Sequence, residues 1–282
     1  VKIRERNHRV FQAQLQKALN EKTREVIIQK EEIEKKNKDI TDSIRYAKRI
    51  QDALLPDIRK LTNIFPESFI FFQPRDIVSG DFYWFQQYEN KLILACADAT
   101  GHGVPGAFMS LIGSTLLKEI TARAEVKSPA HTVEILEDEI RILLRQHDDE
   151  LEHTYDGVDV VICEIDVENY FVRICSTKRS IFGSINGQIQ TLKKETGDPQ
   201  GYETRDIQFK KGDTLYMFTD GYPDQFGGDK GKKIKMVNMK AMLDQIQSLP
   251  FDKQAMIVDR YFNRWKEGHD QVDDVLFIGI KF

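Results

Sequence analysis

Leu19, Val26, Ile33, Ile40, Ala47 and Leu54 recur at intervals of seven, and neither Gly nor Pro interrupts the chain before Pro56. A spacing of seven held this long predicts one continuous helix with a supercoiled seam, because a straight helix drifts away from a 3.5-residue repeat. If that row is d, the a row is Thr23, Lys30, Asn37, Ile44 and Gln51. Most of these are polar, so the pattern describes a marginal, parallel two-stranded coiled coil whose polar a residues fix register at a cost in stability. A single amphipathic helix lying on a globular domain is the alternative. Pro56 ends the helix. The organisation expected is a coiled-coil signalling helix over 1–58 and a globular domain over 62–282.

Beyond Pro66 the period changes to two. FIFFQ, DFYWFQ and KLILACA read as strands, the last two joined by a tight turn at Glu89-Asn90. VPGAFMSLIGSTLLKEI reads as a helix with Pro105 in its first turn, and small residues such as Gly106 and Gly113 would let it pack closely. A second helix is expected from about Pro129 to Arg145. VDVVICEID, YFVRICS, SIFGSI, QIQTL, TRDIQF and TLYMFTD are strands again, with Asn186-Gly187 as a hairpin turn. Two amphipathic helices, over 235–247 and 252–266, precede a closing strand DVLFIGIKF. Clustered strands joined by hairpins and helices in pairs predict an α+β fold with largely antiparallel sheet.

Charge adds to the picture of two modules. Residues 1–60 carry a net +6 and the remainder −10. The acidic second part argues against nucleic acid as a partner. Cys96, Cys163 and Cys175 sit in apolar runs without C-x-x-C spacing and read as core residues of a reducing compartment, the cytoplasm. No stretch is long and apolar enough to cross a membrane. The start at Val1 rather than Met reads as a fragment of a longer protein. The basic opening (Lys2, Arg4, Arg6, Arg9) suits either the cytoplasmic edge of a membrane-bound sensor or a solvated helix end.

Several apolar strands end or open at aspartate. LILACADATGHG, LYMFTDGY and QVDDVLFIGI supply Asp98, Asp220, Asp273 and Asp274, and VSGDFYW adds Asp81 beside Gly80. Each alone is a common turn or edge residue. Together they have the ligand types of an oxygen-only site for Mg²⁺ or Mn²⁺, with the carbonyl after Asp98 as a further donor. A two-cation site hydrolyses phosphate esters with activated water and needs no Ser or Cys nucleophile. FGGDKGKK lacks the phosphate-loop pattern of nucleotide hydrolases. It reads as a solvated loop, or as a guide for an anionic substrate. His102 is open to two roles, general acid or stabiliser of its turn. Arg75 is open to phosphate binding or internal pairing.

These segments resemble a known family. VSGDFYW, ADATGHGVPGAFMS, FTDGYPDQFGG and QVDDVLFIGI, in this order over about residues 65–282, are similar to the metal-dependent protein phosphatases (PPM), in particular the bacterial sporulation-stage-II-E branch that includes sigma-factor regulators. The resemblance implies an αββα sandwich with two Mn²⁺ or Mg²⁺ ions at one edge and a phosphoserine/phosphothreonine protein substrate. By motif, Asp98 would bridge the metals, Ala99 would give its backbone carbonyl, and Asp220 and Asp273 would complete one ion. Asp81 would sit near the second, with Asp274 and Gly80 supporting. The helix from Pro105 corresponds to a regulatory element beside the metals, and IEKKNKDITDSIRYAKRIQDALLP is similar to the helical linker of bacterial sensor proteins. The chain departs from the family pattern at Thr100, which holds the place of a histidine of the eukaryotic branch and puts His102 two residues later, and at CSTKRS and DGVD, neither of which removes a metal ligand.

The expectation is therefore a dimeric, metal-dependent phosphatase output domain acting on a phosphorylated bacterial regulator, an anti-sigma-factor antagonist by resemblance. A binding or scaffold module that kept the fold, and a small-molecule phosphatase, are the alternatives.

Overall fold

The computed structural model describes residues 2–123, 125–146, 156–178, 181–192 and 201–282, leaving aside the side chains of 2–11 and 13. Arg179 and Ser180 of CSTKRS, and the basic side chains of the opening residues, lie outside the described residues. The chain divides into two compact units, Val1–Ala47 and Lys48–Phe282.

The first unit is helical from Lys2 on, as part of α1 (Lys2–Leu54). Leu19, Val26, Ile33 and Ile40 of the heptad row are all exposed on it, at 57–60%. Lys22–Glu25 and Glu32–Lys36 pair along its surface at 2.6 and 2.7 Å. Such exposed pairs add only a few tenths of a kcal/mol each, on the order of 0.2–0.5.

In the second unit Asp57 caps a short helix, α2 (Ile58–Ile64), accepting a hydrogen bond from Arg59 N at 3.0 Å. Among the described residues the strands are β1 (Ser68–Gln73), β2 (Asp81–Tyr88), β3 (Lys91–Ala99), β4 (Val158–Asp166), β5 (Phe171–Ser176), β6 (Ile181–Ile185), β7 (Gln188–Thr191), β8 (Arg205–Gln208), β9 (Thr214–Phe218), β10 (Phe226–Gly227), β11 (Lys232–Lys233) and β12 (Val275–Lys281). Between them run α3 (Gly103–Thr121), α4 (Pro129–Leu143), α5 (Gly221–Asp224), α6 (Lys235–Ile246) and α7 (Phe251–Trp265). Two five-stranded antiparallel sheets form, ordered β1-β12-β9-β6-β7 and β2-β3-β4-β5-β8.

Alternation along the strands builds the layers. Leu92, Leu94 and Cys96 of β3 face the other sheet and join Met217, Ile278 and Ile280 in the central core. Ala95 and Ala97 face the opposite way, toward Leu117 and Ile120 of α3 and Val133 and Leu136 of α4. Tyr216, Phe218 and Phe277 of the first sheet pack on Met239 and Leu243 of α6 and on Val258 and Phe262 of α7. The result is the expected helix–sheet–sheet–helix sandwich. All three cysteines are buried, and burial pushes the Cys175 thiol up to about 12. FGGDKGKK departs from the loop reading: Phe226–Gly227 and Lys232–Lys233 pair as a small hairpin. Lys233 is anchored to Asp224 at 2.8 Å.

Candidate metal centre

The register of the second sheet sets the site. Asp81 at the head of β2 stands opposite Asp98 near the end of β3, and Asp98 stands opposite Asp159 near the start of β4. Three carboxylates therefore lie abreast at one rim. Directly opposed residues on antiparallel strands have Cβ atoms about 4.5–5.5 Å apart, where like charges repel. Asp81 is only 2% exposed. Burial first, and then the charge of Asp98, hold its carboxyl well above the ordinary aspartate range.

The first sheet meets this rim through Thr219. Its hydroxyl donates to Asp81 Oδ2 at 2.6 Å and accepts from Leu276 N at 2.9 Å. Asp220 follows at once, and Gly221 after it leaves no room for a side chain, since a Cβ there would stand 1.9 Å from the Asp274 carbonyl oxygen. Asp273 is half-buried, and its carboxyl is raised by burial and by the charges of Asp220 and Asp274, against the lowering effect of a bond from Asp274 N at 2.8 Å. Asp274 is 1% exposed. Its two oxygens accept from Arg75 N and Gly80 N, each at 2.7 Å, so it clamps the segment leading into β2.

Glycines allow the rim to close. A Cβ on Gly80 would lie 2.5 Å from Gly101 O, and one on Gly106 would lie 2.1 Å from the same atom. Gly101 and Gly103 adopt φ of 88° and 65°, which glycine tolerates without strain. The chain thus turns sharply from β3 into α3. His102 stands at that turn without making a side-chain cap to α3. Its Nδ1 lies 3.0 Å from Asp76 Oδ2 instead. Arg75 donates Nη1 to Val272 O at 3.0 Å, the internal pairing of its two possible roles.

A cleft of about 450 Å³ opens at this rim, lined by Asp98, Ala99, His102 and Asp273 together with Asp159 and Lys178. Lys178 reaches Asp159 at 3.3 Å. Asp81 and Asp220 do not line the cleft. Among the described residues no three His, Cys, Asp or Glu side chains converge as ligands of a single ion. The donor set nonetheless suits a hard divalent cation: it is all oxygen, and the buried Asp81 has one neutral hydroxyl donor and two or more carboxylates for neighbours. Thr219, Asp159 and Lys178 were not singled out by the sequence pattern. Asp159 needed the strand register to find it, although its segment, DGVD, stood out as a variant motif.

The model of the Stage II sporulation protein E (SpoIIE) family matches residues 88–282. Among curated proteins no match is found. The SiaA-PP2C domain of Pseudomonas aeruginosa superposes with a TM-score of 0.77 at 27% identity, over 87% of this chain and 98% of that domain. The PP2C phosphatase domain of SpoIIE from Bacillus subtilis, with a fragment of its regulatory domain, gives 0.60 at 19% identity, over 76% of this chain and 62% of that one. The S. agalactiae serine/threonine phosphatase gives 0.54 at 13% identity, over 76% and 99%.

Proposed function

This chain belongs to the SpoIIE family and has the fold of a PP2C-type serine/threonine phosphatase, and from that premise we propose that the rim of aspartates holds two Mn²⁺ or Mg²⁺ ions and that the cleft beside them hydrolyses a phosphorylated bacterial regulatory protein. The observation that carries this reading is the row Asp81–Asp98–Asp159, abreast across three strands, with the buried Asp81 raised by burial and by the charge of Asp98.

In this reading Asp98, the Ala99 carbonyl, Asp220, Asp273 and Asp81 would be the groups that hold the ions. Bound there, the ions supply an activated water and offset the charge of the phosphate. The protein's own part is to hold geometry. Thr219 fixes one oxygen of Asp81, leaving the other to a cation. Asp274 fixes the backbone that delivers Asp81. Lys178, at the mouth of the cleft, offers a cation to the substrate's phosphate or to an acidic neighbour of the phosphorylated residue.

The exposed heptad row of the first unit supports a homodimer through a coiled coil. An anti-sigma-factor antagonist is the substrate class that the family resemblance favours. Among the described residues no helix is long and apolar enough to cross a membrane. The test is hydrolysis of an aryl phosphate and of a phosphoserine peptide by the purified chain with Mn²⁺, with Mg²⁺ and with EDTA. Turnover with either metal that EDTA abolishes is expected. Turnover undiminished by EDTA would overturn the reading.

A further inference from the structure

Gln51 falls on the a row of the heptad pattern, where a polar residue is expected to serve a coiled-coil seam. The structure uses it otherwise. The last two turns of α1, from Lys48, belong to the globular unit, and there Gln51 is 2% exposed. Its Nε2 donates to Ser79 O at 2.6 Å, and its Oε1 accepts from Ser79 N at 3.2 Å. The side-chain amide therefore pairs with both backbone groups of one residue, as a neighbouring β-strand would. Nε2 also donates to Ser110 Oγ at 2.9 Å. That hydroxyl has one proton of its own, shared between Ser79 O at 3.2 Å and Ala107 O at 2.9 Å.

The three segments so joined are those that build the site. Ser79 precedes Gly80, whose N–H is held by Asp274, and then Asp81. Ser110 lies on α3, whose first turn brings Gly106 against Gly101 and Gly80. We infer that Gln51 is a positioning residue for the metal centre: its amide sets the depth and orientation of Ser79–Asp81 against the start of α3, and so the cation affinity of Asp81. This rests on the function proposed above. Only a primary amide of this length meets the geometry. Glu would present an acceptor to Ser79 O, Leu would leave Ser79 N unpaired and Ser79 O with only its share of the Ser110 hydroxyl, and Asn is one methylene short.

The experiment measures Mn²⁺ binding by calorimetry and the Mn²⁺ dependence of aryl phosphate hydrolysis for the wild-type chain, Gln51→Leu, Gln51→Glu and Ser110→Ala. Supporting partners of metal ligands typically change affinity by about 10–100-fold. Gln51→Leu and Gln51→Glu are expected to weaken Mn²⁺ binding by at least about tenfold. Ser110→Ala, which removes one of the three bonds to the amide, should weaken it less. Amide exchange at residues 77–81 should quicken in step with the loss of affinity. A merely structural glutamine would lower the melting temperature without moving the Mn²⁺ affinity of the folded fraction, and that result would overturn the inference. Should the Gln51 variants fail to fold, an unchanged affinity in Ser110→Ala would overturn it equally. A wild-type chain that binds no Mn²⁺ would instead sink the underlying metal-site reading, which separates the two failures.

Discussion

Asp81 and Asp274 are equally buried, at 2% and 1% exposure. One stands at the head of β2 in one sheet and the other just before β12 in the other sheet. Their surroundings are opposite. Asp274 spends both oxygens on backbone N–H groups, those of Arg75 and Gly80. Asp81 has one hydroxyl donor, with Asp98 opposite it across the ladder. A buried carboxylate supplied with backbone donors is a clamp. One supplied mainly with other carboxylates fits the cation site proposed above, where a bound cation would offset its charge. The same residue type at the same rim thus does two jobs, and the difference lies in what each sheet edge leaves unpaired.

The sharpest way to break this comparison is Asp98→Asn, which neutralises the member of the row that both neighbours face. Loss of a ligand should exceed the roughly 10–100-fold cost of losing a supporting partner, so activity should fall by more than about 100-fold. Far-ultraviolet circular dichroism should stay unchanged. A folded variant with full activity would remove Asp98 from the site. Asp274→Asn comes next. An amide there turns a donor toward one of two N–H groups that need acceptors. The expected cost is about 2–3 kcal/mol, a fall of roughly 4–12 °C in Tm, seen in a thermal melt with or without Mn²⁺.

Asp81→Asn should move stability in the other direction. Asp81 binds its proton more tightly in the folded chain than in the unfolded one, because burial and Asp98 raise its folded pKa. The folded state therefore loses stability as pH rises from the ordinary aspartate value of 3.8 through the raised value. In EDTA at neutral pH, Asn removes that penalty while still accepting from Thr219. A Tm gain of a few degrees is expected, on the order of 1–2 kcal/mol, and the gain should shrink as pH is lowered. Metal-dependent activity should be lost in the same variant. A lower Tm in EDTA would mean that Asp81, like Asp274, is a structural clamp.

The contrast between the two aspartates was only half visible along the chain. The strands and their terminal acids follow from apolar runs that begin or end at Asp, and the antiparallel α+β fold from the clustering of those runs; the four-layer sandwich comes from the resemblance to the metal-dependent phosphatases. Which acids stand abreast depends on register, and nothing local in VDVV ties Asp159 to Asp98. Thr219 looks like one more strand residue until its hydroxyl is seen bridging the sheets. The seven-residue α2 and the two-residue strands β10 and β11 are too short to carry a period, so the pattern marks no helix at the first and reads the others as loop. Gln51 shows a further limit. The heptad count runs unbroken through it, but a repeat cannot say where a helix leaves one environment and enters another.

The smallest expected effect tests the residue at the turn between these regions. His102 is half-exposed and lines the cleft, which keeps a role as general acid geometrically open. Its Nδ1, however, faces Asp76 Oδ2 at 3.0 Å, and Asp76 lies on the same segment that Asp274 clamps. If the pair only braces that segment against the β3–α3 turn, His102→Ala and Asp76→Asn should reduce activity alike, by less than about tenfold, since an exposed polar pair is worth only about 0–1 kcal/mol. A general acid would cost about 100-fold or more. Its loss would also be felt far more with a phosphoserine peptide, whose alkoxide leaves poorly, than with an aryl phosphate that needs no proton to depart. Equal, small losses on both substrates would place His102 with Asp274 among the groups that hold the rim. A large loss confined to the peptide would place it in the chemistry.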